Sequence, residues 1–144
     1  MIFRAGTDGD LPGVVRIFEK ELDTPAIASR LRYRLASCPS AVAQARDTTV
    51  GFALTSVFSP DIYEITNMVV SPGFRDRGIG GRLLATLEAL LPEAASALLL
   101  VNSQLWPSAS GQKRSAERFY ARHGFSPAFR TPASIVMTKV LGKS

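Results

Sequence analysis

Apolar residues in this chain recur with two different periods, and the places where the period changes divide the chain into elements. Ile2 to Ala5 predicts a short first strand. Thr7-Asp8-Gly9-Asp10 then supplies turn and cap chemistry before a helix with Leu11, Val14, Val15 and Phe18 at helical spacing. Thr24-Pro25 fits the start of a second helix, a cap residue followed by proline in the first turn. Ile27, Leu31 and Leu35 carry its apolar face to Cys38-Pro39. Strand patterns follow at Ala41 to Arg46, Val50 to Phe58 and Ile62 to Val70. Turns at Asp47-Thr48-Thr49 and Ser59-Pro60-Asp61 would join them as an antiparallel meander.

Beyond a Pro-Gly break, Ile79, Leu83, Leu84, Leu87 and Leu91 mark an amphipathic helix ending near Pro92. Ala97 to Val101 is a short apolar run of the kind a buried strand shows. Strand, helix, strand implies a right-handed crossover with locally parallel pairing. Asn102 to Gly111 reads as a loop carrying Trp106, a residue suited to walling a pocket or covering the core edge. Gln112 to His123 reads as a helix stopped by Gly124, and Phe125 to Phe129 and Ile135 to Val140 as closing strands. No repeat, linker or low-complexity tract interrupts this order, so one α/β domain over residues 1–144 is expected.

Composition narrows the chemistry. One cysteine, Cys38, allows no internal disulfide, and one histidine, His123, disfavours a metal site, so none is expected. Cys38 reads as a small apolar filler and His123 as a helix-end residue that meets the last carbonyls. The opening MIFRAGTDGD is charged where a secretory signal would be apolar, and no apolar run is long enough to span a bilayer. A cytoplasmic protein without a membrane partner is expected. Seventeen Lys and Arg against twelve Asp and Glu give a net charge of +5, which favours an anionic partner such as a phosphorylated cofactor, and nucleic acid more weakly.

VVSPGFRDRGIGGRLL, Val69 to Leu84, concentrates that charge where a strand hands over to a helix. A helix beginning within Arg75-Asp76-Arg77-Gly78-Ile79-Gly80-Gly81 leaves several N–H groups without intrahelical partners and puts the positive end of its dipole there. Glycines 78, 80 and 81 remove the Cβ atoms that would hold a bulky anion away. Arg75, Arg77 and Arg82 can add charge-assisted hydrogen bonds, so a pyrophosphate-sized group is expected over these amides. A P-loop is excluded because no Lys-Ser/Thr follows the glycines, and the first strand lacks the dinucleotide fingerprint.

Arg75-x-x-Gly78-x-Gly80, preceded by Met68-x-Val70-x-Pro72 and followed by a leucine-rich helix, resembles the acetyl-coenzyme A signature of the GNAT superfamily of N-acetyltransferases. Phe119-Tyr120-x-x-x-Gly124-Phe125 resembles the family's second element, which closes the cofactor cleft. The element order is also similar, so the resemblance implies the mixed-sheet GNAT fold, strand 1, two helices, strands 2 to 4, helix, strand 5, helix, strands 6 and 7, with strands 4 and 5 splayed. It further implies that the main chain of Met68, Val69 and Val70 pairs with the pantetheine arm of acetyl-CoA and that the Val70 N–H polarises the thioester carbonyl. The pyrophosphate would meet the amides of Arg75, Asp76, Arg77, Gly78, Ile79, Gly80, Gly81 and Arg82. Asp76 departs from the glycine that many members carry beside the arginine, and adds a negative charge near the phosphate.

Acetyl transfer to an amine needs a neutral nucleophile, a polarised carbonyl and a proton for the departing thiolate. Tyr120 matches the family's thiolate-protonating tyrosine, although a core tyrosine packed beside Phe119 would occupy the same place. Glu64 is the leading base, since strand alternation puts it on one face with Thr66 and Met68. Glu19 and Glu21 are the alternatives. Asn102 resembles the family asparagine that bonds pantetheine, and a strand-end asparagine also commonly caps its own loop. The resemblance implies direct attack by an amine of a small molecule or peptide, and a homodimer is compatible with it. The competing readings are a catalytically inactive coenzyme A sensor or assembly module, and nucleic-acid binding through Arg30, Arg32, Arg34 and the loop arginines, which little beyond charge supports.

Overall fold

The computed structural model describes residues 1–103 and 116–142. The elements are β1 (Ile2–Ala5), α1 (Leu11–Leu22), α2 (Ala28–Ser37), β2 (Ser40–Ala45), β3 (Thr48–Ser59), β4 (Ile62–Val70), α3 (Ile79–Leu90), β5 (Ala97–Ser103), α4 (Glu117–Arg122), β6 (Ser126–Arg130) and β7 (Ser134–Val140). Hydrogen bonds link the strands into one mixed sheet in the order β1-β2-β3-β4-β5-β7-β6, the α/β arrangement and element order that the sequence predicts. Two compact units form, Met1–Ser56 with Ile65–Glu93, and Val57–Glu64 with Ala94–Ser144. Trp106 and the predicted start of the last helix at Gln112 lie outside the described residues. Among the described residues no helix is long and apolar enough to cross a membrane.

In the first unit, β2 is antiparallel to β1 and β3, and side-chain size differs between the two sheet faces. One face presents Val42, Phe52, Leu54 and Val69 to Leu11, Val14 and Ile17 of α1 and Leu31 and Leu35 of α2. The opposite face carries Ala41, Ala43, Gly51 and Ala53, all buried. Their small size lets α3 approach closely: a Cβ on Gly51 would stand 3.2 Å from Leu83 Cδ1. Helix α3 buries Ile79, Leu83, Leu84 and Leu87, as its periodicity predicts. Asp10, 6% exposed, ties β1 to the start of α1. Both Arg4 Nη atoms donate to its carboxylate at 2.8 Å, and that hydrogen bonding holds the carboxyl below the usual range.

Several boundaries differ from the sequence expectation. Helix α2 starts at Ala28, not at Thr24-Pro25; Ile27 is its extended cap and is 51% exposed rather than part of the apolar face. The N–H groups of Arg30 and Leu31 close the first turn on the Ile27 carbonyl. The β2–β3 turn is Arg46-Asp47, with Arg46 left-handed at φ 55, while Thr48 and Thr49 already belong to β3.

In the second unit, Ile62, Tyr63 and Glu64 of β4 pair in parallel with Ala97, Leu98 and Leu99 of β5. Strand β5 pairs antiparallel with β7 along its whole length, as far as Ser103 rather than Val101. Its burial alternates, with Leu98 and Leu100 inside and Val101 54% exposed, so the run is half-buried instead of wholly buried. Strand β6 starts at Ser126 instead of Phe125 and is an exposed edge. A proline, Pro127, and an irregular register before Phe129 leave it a poor template for another strand.

Candidate functional site

The loop between β4 and α3 is built before any ligand is considered. Ser71 N–H donates to the Val50 carbonyl at 2.8 Å, and Phe74 and Arg75 N–H groups fold a 3-10 turn over Pro72–Phe74. Asp76 follows at φ 60 and Gly78 at φ 74, both left-handed. Glycine takes that conformation without strain, and aspartate is among the few other residues that tolerate it. The glycine that the resemblance leads one to expect in place of Asp76 would therefore meet a backbone of positive φ. Helix α3 opens at Ile79, and its first backbone bond runs from the Arg82 N–H to the Gly78 carbonyl at 3.2 Å. The N–H groups of Ile79, Gly80 and Gly81 stand ahead of that bond, at the positive end of the helix dipole.

The three arginines do not behave alike. Arg75 donates through Nε to the Val70 carbonyl at 3.0 Å and through Nη2 to Glu21 Oε2 at 2.9 Å, which makes it a strut between α1 and the loop. Its guanidinium is engaged within the protein instead of turned toward a phosphate as the sequence suggests. The Arg77 guanidinium lies 5.4 Å from the Phe74 ring centroid and that of Arg82 4.1 Å from the Phe3 ring centroid, both exposed and without an ion pair among the described residues. Nothing in the sequence marks Phe3 as a partner of Arg82, because the two meet only through the packing of α3 on β1.

On β4, burial alternates so that Tyr63, Ile65 and Val69 point inward on one face, with Glu64, Thr66, Met68 and Val70 half-buried on the other. Glu64 therefore shares a face with Met68, as strand periodicity predicts. The two alternative bases are occupied: Glu21 holds Arg75, and Glu19 accepts the Ala26 N–H at 2.9 Å. Asn102 sits inside β5, opposite Ile135, and not at a strand end as the sequence implies.

Tyr120 belongs to a helix stop whose spacing has a structural cause. The Phe125 N–H donates to the Tyr120 carbonyl at 3.0 Å and the Gly124 N–H to the Ala121 carbonyl at 3.2 Å, with Gly124 at φ 93. This is the paired hydrogen bonding of a Schellman stop, and its accompanying hydrophobic contact is Tyr120 against Phe125, ring centroids 5.4 Å apart. The Tyr-x-x-x-Gly-Phe spacing is thus what the stop requires. Phe119 flanks the tyrosine at 5.2 Å. Tyr120 is 8% exposed, and burial pushes its phenol up to about 12, so it stays protonated throughout the neutral range. His123 packs edge-on against Phe119, centroids 4.7 Å apart. Burial pushes the Cys38 thiol up, which disfavours the reactive thiolate.

A family model described as "Acetyltransferase (GNAT) domain" matches residues 37–127. Solved structures share the fold over nearly the whole chain. Ard1 from Thermoplasma volcanium is 20% identical, with a TM-score of 0.82 over 99% of this chain and 98% of that one. The ribosomal-protein-S18-alanine N-acetyltransferase from Escherichia coli is 19% identical, with a TM-score of 0.78 over 99% and 95%. The PaiA N-acetyltransferase from Thermoplasma acidophilum, in complex with coenzyme A, is 15% identical, with a TM-score of 0.76 over 97% and 98%. No curated protein matches the chain.

Proposed function

The chain belongs to the GNAT acetyltransferase family, and we propose that residues 1–144 act as one catalytic domain that moves the acetyl group of acetyl-CoA to an amine. The carrying observation is the mouth of α3, where three amides precede the first helical hydrogen bond and the flanking residues Arg77 and Arg82 are exposed. These donors suit a diphosphate, and among the described residues no atom beyond its chain neighbours lies within 4 Å of where a Cβ on Gly78 would stand. Arg77, Arg82 and the amides from Asp76 to Gly81 take the pyrophosphate, while Arg75 braces the loop. The main chain of Met68, Val69 and Val70 takes the pantetheine arm, with Asn102 a further partner of that arm.

Acetyl-CoA supplies the activated thioester. The Val70 N–H polarises the thioester carbonyl, and Glu64, through water, takes a proton from the acceptor amine. The amine nitrogen bonds to the carbonyl carbon as the carbon–sulfur bond breaks, and Tyr120 delivers a proton to the departing thiolate. No covalent enzyme intermediate is required.

Acetyl-CoA at about a hundred times its Kd is expected to stabilise the fold by about 2.7 kcal/mol, a rise in Tm of roughly 8 °C. Differential scanning fluorimetry followed by thiol-release assays over a panel of amines measures both binding and turnover. Absence of both would end this reading.

Asp76→Gly separates charge from fold at the same place. The change removes a carboxylate near the anion site and a left-handed strain, but it also enlarges the freedom of the unfolded chain and loses a favourable charge at a helix start. Those stability effects largely cancel, so Tm is expected to shift by less than about 3 °C. Affinity for acetyl-CoA should rise about three-fold at low salt and less at high salt, as calorimetry would show. A change in affinity that is independent of salt would assign it to loop geometry instead.

A further inference from the structure

Helix α2, ASRLRYRLAS, contains three arginines and no acidic residue. The two carboxylates of α1 have other partners, Glu19 the Ala26 N–H and Glu21 Arg75. The connection between the two helices adds only Asp23, left-handed at the end of α1. No carboxylate among the described residues therefore holds Arg30, Arg32 or Arg34 in an ion pair.

Two contacts locate this charge relative to β4. Leu31 and Leu35 bury with Val69 on the α1–α2 face of the sheet. Arg34, half-buried beside that stripe, donates through Nη1 to Asn67 Oδ1 at 3.4 Å. Asn67 immediately precedes Met68, so the guanidinium stands beside the segment assigned to the pantetheine arm. The opposite face is closed by α3: Val70 Cγ2 and Leu83 Cδ1 both border the Gly51 position, at 3.5 and 3.2 Å from where its Cβ would be. An amine that reaches this segment at its Asn67 end stands beside the Arg34 guanidinium. Arg30, exposed, follows one helical turn away on the same stripe.

A planar guanidinium with its charge unpaired selects a carboxylate over other small groups, because its donors match both oxygens at once. We propose that the acceptor is a small amine that itself carries a carboxylate, recognised by Arg34 with Arg30. This rests on the acetyl-transfer reading and adds the acceptor class to it. The same arrangement disfavours polyamines, whose second cation would meet these arginines.

Matched amine pairs that differ only by the carboxylate test it: L-lysine against cadaverine, L-ornithine against putrescine, and L-phenylalanine against phenethylamine, each assayed by thiol release. In at least one pair the carboxylated member is expected to show a kcat/KM about ten-fold or more above its partner. Arg34→Gln should raise KM for that member about ten-fold and leave KM for the decarboxylated partner within about two-fold, with kcat unchanged, as loss of uniform binding predicts. Arg34→Lys should recover part of the difference. Arg30→Gln, at an exposed site, carries the test if Arg34→Gln does not fold, and is expected to cost about three-fold in the same direction.

Equal or better turnover of the decarboxylated member in every pair would overturn the inference and leave acetyl transfer standing. A carboxylate preference untouched by both substitutions would also overturn it. Salt-sensitive RNA binding abolished by Arg34→Gln, without any carboxylate preference, would assign these guanidiniums to nucleic acid. If no amine releases thiol and acetyl-CoA gives no thermal shift, the acetyl-transfer reading itself has failed.

Discussion

Tyr120→Phe is expected to lower kcat about a hundred-fold, the contribution typical of one positioned acid, with acetyl-CoA affinity within about two-fold of the original. The substitution deletes one hydroxyl and keeps the ring that packs on Phe119 and Phe125, and the backbone stop at Gly124 is indifferent to it. Because burial pushes the phenol up to about 12, the proton is present at every practical assay pH. The pH profile of kcat/KM should therefore rise as the acceptor amine loses its proton and then stay level to about pH 10, with no falling limb from this group.

Stability gives an independent readout of the same residue. In the unfolded chain a tyrosine titrates near ~10, whereas the folded state holds this proton until about 12. The unfolded state thus binds fewer protons between those values. Stability that is intact below about pH 10 is lost as pH climbs toward the folded value, by about 3 kcal/mol in all. The phenylalanine variant lacks this loss, so its Tm should fall less steeply across the alkaline range. A kcat within two-fold of the original would remove Tyr120 from the chemistry and leave it as the hydrophobic partner of the helix stop.

What the sequence disclosed about this molecule depended on how local the cause was. The α3 face was legible because Ile79, Leu83, Leu84 and Leu87 repeat at helical spacing and bury as that spacing requires. The stop at Gly124 was legible because one residue in a left-handed conformation fixes it. Thr24-Pro25 misled because cap chemistry is also loop chemistry. The helix waited for Ala28, where Ile27 could stay extended and offer its carbonyl to Arg30 and Leu31. Arg46 misled for the converse reason, an ordinary residue taking a turn conformation that usually announces itself with glycine or asparagine. In the candidate site, the unpaired amides of α3 follow from position alone. The diversion of Arg75 to Glu21 and the placing of Arg82 on Phe3 do not, since those pairs are distant in sequence and meet only when helices pack on the sheet.

The closeness of that packing sets the second large effect. Gly51→Val should destabilise the fold by about 2 kcal/mol, lower Tm by roughly 6 °C and weaken acetyl-CoA binding about ten-fold. Valine has two advantages at a strand position, a better fit to a pleated surface of up to about 1 kcal/mol and a smaller loss of unfolded-chain entropy than glycine. Sterics outweigh both. The Cβ alone would stand 3.2 Å from Leu83 Cδ1 and 3.2 Å from the Val69 carbonyl oxygen. Leu83 is fully buried, which leaves its methyl little room to turn aside, and the carbonyl belongs to the β4 backbone and cannot withdraw without moving the strand. Two further methyl groups would force α3 away from β2, and the helix mouth with it, which couples stability to cofactor affinity. Gly51→Ala, lacking those methyls, should show a smaller loss in both measurements. A valine variant with unchanged Tm and unchanged Kd would mean that α3 is free to slide on the sheet, and that the small-residue face does not position the mouth.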